Sequence, residues 1–387
     1  MATLATAGNT INDAMANAPG GIGDNGVDGA NGKVNTNTDE SGPIYVDTQH
    51  DDMIHDAQMD YYGTKLATSS SDRTVKIYDV VQTQTDTNVP GTTQPSYHQT
   101  ATLTGHSGPV WQVSWAHPKY GTVLASCSFD GSILIHRETR PREWTQLHAA
   151  RNLHDSSVNS VKFAPHEYGL IVAGASSDGR VSVLQHQNDD SWLVDYVQDS
   201  HLGVNALDFA PFASYEGDKE SEQVVAGADP AVTSNTAASN PTMHMVTGGC
   251  DNRIRFWKKT VDSNHTKWEI DPSPVDTTSL SHSDWIRDVA WAPSSAILPD
   301  INLVASCSED RTVIIWTQKG GEGQPWTPQL LHTFDDPVWR VSWSVTGCVL
   351  AVSSGDDKVT LWKQQTFGND EDGDDCGEWA QVGSVNE

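Results

Sequence analysis

The chain has 387 residues, with 23 Lys and Arg against 51 Asp and Glu, a formal charge of −28. That acidity argues against direct contact with nucleic acid or an anionic lipid surface, so a role at either is expected to run through a partner. Residues 1–43 and 364–387 together hold only twelve of the acids, so the middle of the chain is acidic as well. The five cysteines, Cys127, Cys250, Cys307, Cys348 and Cys376, are odd in number and lack CxxC or Cys/His spacing. Neither a disulfide framework nor a zinc site is expected, and a reducing compartment is the natural setting. The N-terminus has no basic region followed by an apolar core, and no stretch approaches the roughly 18 apolar residues of a membrane span.

In chain order, residues 1–42 are rich in Gly, Asn, Ala, Thr and Asp, and are expected to form a disordered extension, because they cannot bury enough apolar surface to offset the entropy of ordering. Gly21 to Gly26 match GxGxxG, but a phosphate loop needs a strand before it and a helix after it, and neither is indicated. Pro43-Ile44-Tyr45-Val46-Asp47 reads as a strand. From residue 50 onward one pattern repeats. Six hairpins carry an Asp six residues before the end of a strand: Asp72, Asp130, Asp178, Asp251, Asp310 and Asp356. Before each lies an alternating apolar run, as in VWQVSW (110–115), VNSVKF (158–163), WIRDVAW (285–291) and VWRVSW (338–343). Alternation at period two marks half-buried strands, and the Asp-Gly, Asp-Arg and Asp-Asn steps mark tight hairpins. A further strand follows several copies, opened by Trp: EWTQLH (143–148), SWLVDYV (191–197), KWEI (267–270) and PWTPQLLHTF (325–334).

The unit is therefore four short antiparallel strands, the pattern of WD-repeat β-propeller blades. The expected fold is an all-β, six-bladed propeller spanning residues 43–383, with an exposed insertion at 213–242 in blade four and an acidic loop at 366–377 in blade six. Within the blades, His106 with Asp130, His154 with Asp178, and His282 with Asp310 are assigned to a structural hydrogen-bond network around a buried Trp, together with Asp72, Asp251 and Asp356. No catalytic, cofactor-binding or metal site is expected. The chain has no Gly-x-Ser-x-Gly elbow, P-loop or His-Glu-x-x-His helix, and the acidic run at 370–375 lacks the terminal Glu of a calcium loop.

Counting strands exposes a surplus. Six blades need 24, and Glu378–Val382 supplies the outer strand of blade six, so Ile44–Val46 is left over. It reads as the outer strand of a seventh blade whose other three strands this chain does not encode, leaving a gap between blades one and six that a partner fills by strand addition.

The stretches MIHDAQMDYYGTKLATSSSDRTVKIYD (53–79), LTGHSGPVWQVSWAHPKYGTVLASCSFDGSILI (103–135), HDSSVNSVKFAPHEYGLIVAGASSDGRVSV (154–183), GGCDNRIRFWK (248–258) and WIRDVAWAP (285–293) resemble the Sec-thirteen family. The AHPKYG and APHEYG turns are its most discriminating marks. The resemblance implies an open six-bladed propeller, completed in trans by a three-strand blade from an α-solenoid partner. That partner is the outer-coat subunit of COPII vesicles or a nucleoporin of the nuclear pore Y complex, and the family also belongs to the amino-acid-sensing complex upstream of the TOR kinase. It places such proteins on the cytoplasmic face of the ER membrane, on COPII vesicles, at the nuclear pore and in the cytosol, peripherally and through partners. The residues expected to meet the partner's blade are Ile44, Tyr45, Val46, Met53 and Ile54 on the blade-one side, and Val338, Trp339 and Val341 on blade six. The alternatives are a self-closed adaptor such as a ubiquitin-ligase substrate receptor, in which residues 44–47 pair with blade six, the related Seh-type nucleoporin, and a propeller hydrolase.

Overall fold

The computed structural model describes residues 46–84, 93–212, 242–262, 265–293, 301–321, 323–365 and 378–386. Apart from short 3-10 turns, these residues form 24 strands in six four-stranded antiparallel sheets. Blade one comprises β1 (Ile54–Met59), β2 (Lys65–Ser70), β3 (Val75–Gln84) and β4 (Thr93–Leu103); blade two comprises β5 (Val110–Trp115), β6 (Val123–Ser128), β7 (Ile133–Arg140) and β8 (Glu143–Ala150). Blade three holds β9 (Val158–Phe163), β10 (Ile171–Ser176), β11 (Arg180–His186) and β12 (Trp192–Gln198); blade four holds β13 (Val204–Phe209), β14 (His244–Gly249), β15 (Ile254–Asp262) and β16 (His265–Ile270). Blade five consists of β17 (Ile286–Trp291), β18 (Ile301–Ser308), β19 (Thr312–Lys319) and β20 (Trp326–Thr333), and blade six of β21 (Val338–Trp343), β22 (Val349–Ser354), β23 (Lys358–Gln364) and β24 (Trp379–Asn386). The outer strand expected from Glu378 is β24, so blade six has four strands of its own. The N-terminal extension, Pro43–Tyr45, residues 213–241 of the expected insertion and the acidic loop 366–377 lie outside the described residues.

The second and third strands of every blade meet at the Asp hairpin. The residue after each Asp is left-handed: Arg73, Gly131, Gly179, Asn252, Arg311 and Asp357 all have φ between 60° and 84°. Only two of the six are glycine, so the Asp side chain supplies the turn's order. It accepts the backbone N–H two residues on, as from Thr74 at 2.9 Å, Ser132 at 3.0 Å and Arg180 at 3.0 Å.

The same aspartates close the blade networks. In blade five a relay is complete. The Trp316 indole N–H donates to Ser306 Oγ (2.9 Å), the Ser306 hydroxyl meets His282 Nε2 (2.7 Å), and His282 Nδ1 meets Asp310 Oδ2 (3.1 Å). Since the carboxylate only accepts, the neutral imidazole carries its proton on Nδ1. His154 likewise bridges Asp178 (3.0 Å) and Ser182 (2.9 Å). His106 contacts Ser132 (3.0 Å) and Ser126 (2.9 Å) and lies 3.5 Å from Asp130. A fourth pair, His50 with Asp72 at 2.7 Å, completes blade one, where Tyr78 takes the place of the Trp. Blade four departs from this scheme. His201 is exposed, and Asp199 takes over, joining Arg255 (2.9 Å) and Thr247, with Arg255 also paired to Asp251. In blade six Asp356 holds Ser354 and Lys358, and Phe334 stands where the histidine would be.

The networks of blades one and three shift the titration of their paired groups. Burial pushes the Asp178 carboxyl up, but hydrogen bonds from Arg180 and His154 outweigh it and hold it at about 2, and Asp72 is held at about 2 by Thr74 and His50 against the same opposition. Burial lowers His50 and His154 despite their aspartate partners. The unfolded chain therefore binds more protons once the pH drops below about 6.5, and again below about 4 as it falls toward 2. Stability should fall from pH 7.5 to pH 5 in urea titrations. A His154→Ala variant should lose about 1–3 kcal/mol at pH 7.5, because it leaves the buried Ser182 hydroxyl without its partner and takes one hydrogen bond from Asp178, and should show a shallower pH dependence.

Candidate functional site: the seam between blades six and one

Each blade is a sheet with two apolar faces, and both must be covered. Five mixed clusters do this. Ala67, Val75 and Ile77 of blade one pack with Val110 and Val113 of blade two, and Ala125, Ile133 and Ile135 of blade two with Val158 and Val161 of blade three. Val181 and Val183 pack with Val204 and Leu207, Ile254 and Phe256 with Ile286 and Val289, and Val313 and Ile315 with Val338 and Val341. The corresponding face of blade six, Val349, Ala351 and Leu361 with partly buried Val359, forms a cluster that contains no residue of blade one.

The facing surface of blade one tells the same story. The first residue of each later innermost strand, Val110, Val158, Val204, Ile286 and Val338, is fully buried at 0% exposure, whereas Ile54 is only half-buried. Three residues on, Val113, Val161, Leu207, Val289 and Val341 are buried and Ala57 is not. The innermost strands pack in succession from β1 to β5, β9, β13, β17 and β21, and packing of comparable extent does not join β21 to β1.

Hydrogen bonds stitch the same five steps. Asp56 accepts the Val113 N–H (3.1 Å) and Trp115 donates to the Gln58 carbonyl (2.9 Å). Gln112 accepts the Val161 N–H (2.8 Å), and Asn159 donates to the Val204 carbonyl (2.9 Å). Asp208 accepts the Trp291 N–H (2.8 Å), Asp288 accepts the Val341 N–H (3.2 Å), and Trp343 donates to the Ala290 carbonyl (3.0 Å). At the sixth step the described residues give one side-chain link, an ion pair of 3.7 Å between Arg340 of β21 and Asp56 of β1.

This geometry locates the sequence-derived candidates. Ile44 and Tyr45 lie outside the described residues, while Val46 and Asp47 belong to no strand. Met53, 66% exposed, and Ile54 lie at the seam edge of blade one, and Ile54 also lines the central channel. The expectation for Val338 and Val341 is corrected. Both are buried against blade five, because the first and fourth residues of an innermost strand face the preceding blade, and the seam face of blade six is the Val349–Leu361 cluster instead. Trp339 points into the channel mouth, where the Arg287 guanidinium lies 4.9 Å from its ring centroid.

Comparison with known proteins defines first the class and then the family. The WD domain, G-beta repeat model matches residues 41–79, 97–137, 274–317 and 328–363. The unmatched stretch includes blade three, with Leu184 in the Trp position, and blade four, with its substituted network. A chain of the solved "Crystal Structure of Mitotic Checkpoint Complex" superposes on 81% of this chain and 75% of its own with a TM-score of 0.53 at 16% identity, which bears on the fold alone. "Protein SEC13 homolog" of Drosophila melanogaster is 44% identical over 84% of this chain and 81% of its own length. "Protein transport protein SEC13" of Yarrowia lipolytica is 43% identical over 89% of this chain and all of that protein, and its Mycosarcoma maydis counterpart is 42% identical over 84% and 93%. The chain belongs to the Sec-thirteen family.

The seam reading separates two otherwise equivalent substitutions. Val181→Lys places a charge between blades three and four and should cost more than about 3 kcal/mol, whereas Val359→Lys, at the same position on the seam face, should cost less than about 1 kcal/mol. Urea unfolding of both variants measures the difference.

Proposed function

We propose that this protein is a non-catalytic scaffold subunit of a vesicle coat of the COPII type. It accepts a blade from an α-solenoid outer-coat subunit at the seam between blades six and one. The observation that carries the reading is the seam itself: two apolar sheet faces and, among the described residues, a missing set of inter-blade hydrogen bonds at one step of an otherwise stitched ring. Three added strands would cover both faces and satisfy the exposed edges, the same physics that joins the other blades. The transport names of the relatives support the coat assignment. Docking of a rigid propeller stiffens the solenoid at that point, so that the lattice resists the bending stress of a curved membrane the propeller does not itself touch. No helix among the described residues is long and apolar enough to cross a membrane. Attachment at the ER surface is proposed to run through partners.

The same blade-accepting seam supports a second assembly in the nuclear pore Y complex, through an α-solenoid nucleoporin, and participation in the amino-acid-sensing complex upstream of the TOR kinase. Ile44, Tyr45 and Val46 are proposed as the strand beside the incoming blade, with Met53 and Ile54 behind it.

Affinity capture from cell extract with the intact chain and with residues 44–47 deleted tests the reading. The intact chain should recover the solenoid subunits of coat and pore, and the deletion should reduce both at least tenfold. An intact chain that recovers neither and runs as a closed monomer contradicts it.

A further inference from the structure

The third residue of each innermost strand occupies one structural position in all six blades: Asp56, Gln112, Ser160, Ala206, Asp288 and Arg340. Three of these carry a side-chain oxygen that accepts the N–H of the fourth residue on the next innermost strand, as Asp56 does for Val113, Gln112 for Val161 and Asp288 for Val341. On blade six the next strand is β1, and its fourth residue is Ala57. Arg340 cannot make this bond, because a guanidinium has five donors and no acceptor.

The second type of stitch is absent at the same place. Trp115 and Trp343, each the sixth residue of its innermost strand, donate an indole N–H back to the preceding blade. The sixth residue of β1 is Met59, which has no donor to give. Two substitutions on opposite sides of one seam therefore remove two of the ways in which neighbouring blades are joined; blades three and four, with Ser160 and Phe209 at these positions, are joined by Asn159 instead.

Arg340 is nevertheless not idle. Its guanidinium pairs at 3.7 Å with Asp56 Oδ1, while Oδ2 of the same carboxylate accepts the Val113 N–H. Behind Arg340, Asp288 accepts the N–H of the adjoining Val341. Burial disfavours the charge on the Arg340 guanidinium, but the Asp56 and Asp288 carboxylates outweigh it and push its pKa up. The long side chain thus runs from blade six to blade one through the central channel, between a carboxylate of blade five and one of blade one.

We propose that Arg340 is a positioning residue that holds the seam open at a fixed width: its reach ties blade six to blade one at the channel, and its lack of an acceptor keeps the two innermost strands from stitching shut. The incoming blade then meets a preformed slot and need not first break a closed ring or order a splayed one. This inference rests on the seam being the blade-accepting site.

Two variants separate the two halves of the idea. Arg340→Gln supplies the acceptor that Gln112 supplies one seam earlier, and Arg340→Met keeps the length and removes the charge. Hydrogen exchange of the free protein, followed by mass spectrometry, reads the seam without any partner. Arg340→Met should speed exchange in β1 and β21 at least tenfold, and Arg340→Gln should slow it at Ala57, with β5 to β19 unchanged in both as evidence that the variants fold. Titration with the recombinant α-solenoid coat subunit carrying its blade segment should give at least tenfold weaker binding for each variant. Unchanged exchange in β1 and β21 of both variants overturns the proposal. If exchange shifts as expected but the unaltered protein does not bind the solenoid subunit, the tether stands and the seam's assigned occupant fails.

Discussion

The constraint on which this structure depends is that a β-sheet with two apolar faces cannot stand alone in water. Each blade meets it by leaning on its neighbours, and five interfaces repeat one recipe. Small and β-branched residues of one hairpin, such as Ala125, Ile133 and Ile135, pack on the innermost strand of the next blade, here Val158 and Val161. Each buried side chain of this kind contributes about 1.5–3 kcal/mol, so an interface is worth far more than any single hydrogen bond within it. The polar networks at the hairpin turns contribute less energy and more specificity. They fix where each hairpin sits, and so which residues present themselves to the next blade.

A recipe repeated five times makes its sixth, altered instance informative. Ile54 and Ala57 retain the apolar character of their series but not its burial, and Val349, Ala351 and Leu361 keep theirs without a neighbouring blade to receive it. The chemistry of the joining residues differs at the same step, with Arg340 where Asp56, Gln112 and Asp288 accept and Met59 where Trp115 and Trp343 donate. An interface that had simply decayed would not preserve its apolar residues while replacing its polar ones with groups that cannot pair. The pattern fits the proposed blade-accepting surface, where added strands would satisfy both the faces and the edges.

Much of this was legible in the sequence. The period-two runs and Asp hairpins located the blades, because strand alternation and tight-turn chemistry are local properties. The outer strand at Glu378 was found by its likeness to residues 143–147. The departures lie where a distant residue takes over a role. Nothing in the neighbourhood of His201 signals that Asp199 and Arg255 replace it, since that exchange is decided by what reaches Thr247 in space. The direction in which Val338 and Val341 face is hidden from local sequence for a similar reason. Alternation separates two faces of a strand without saying which neighbouring blade each will meet. The register of blade three, where Val158 and Val161 meet blade two, settles it for blade six as well.

The central claim is that a partner's strands complete the ring between β1 and blade six. A cryo-electron microscopy structure of the protein bound to the α-solenoid coat subunit tests it most directly. The account predicts three additional strands in the seam, covering Ile54 and Ala57 on one side and Val349, Ala351 and Leu361 on the other. A complex in which the partner docks elsewhere while blades six and one close on each other would contradict it.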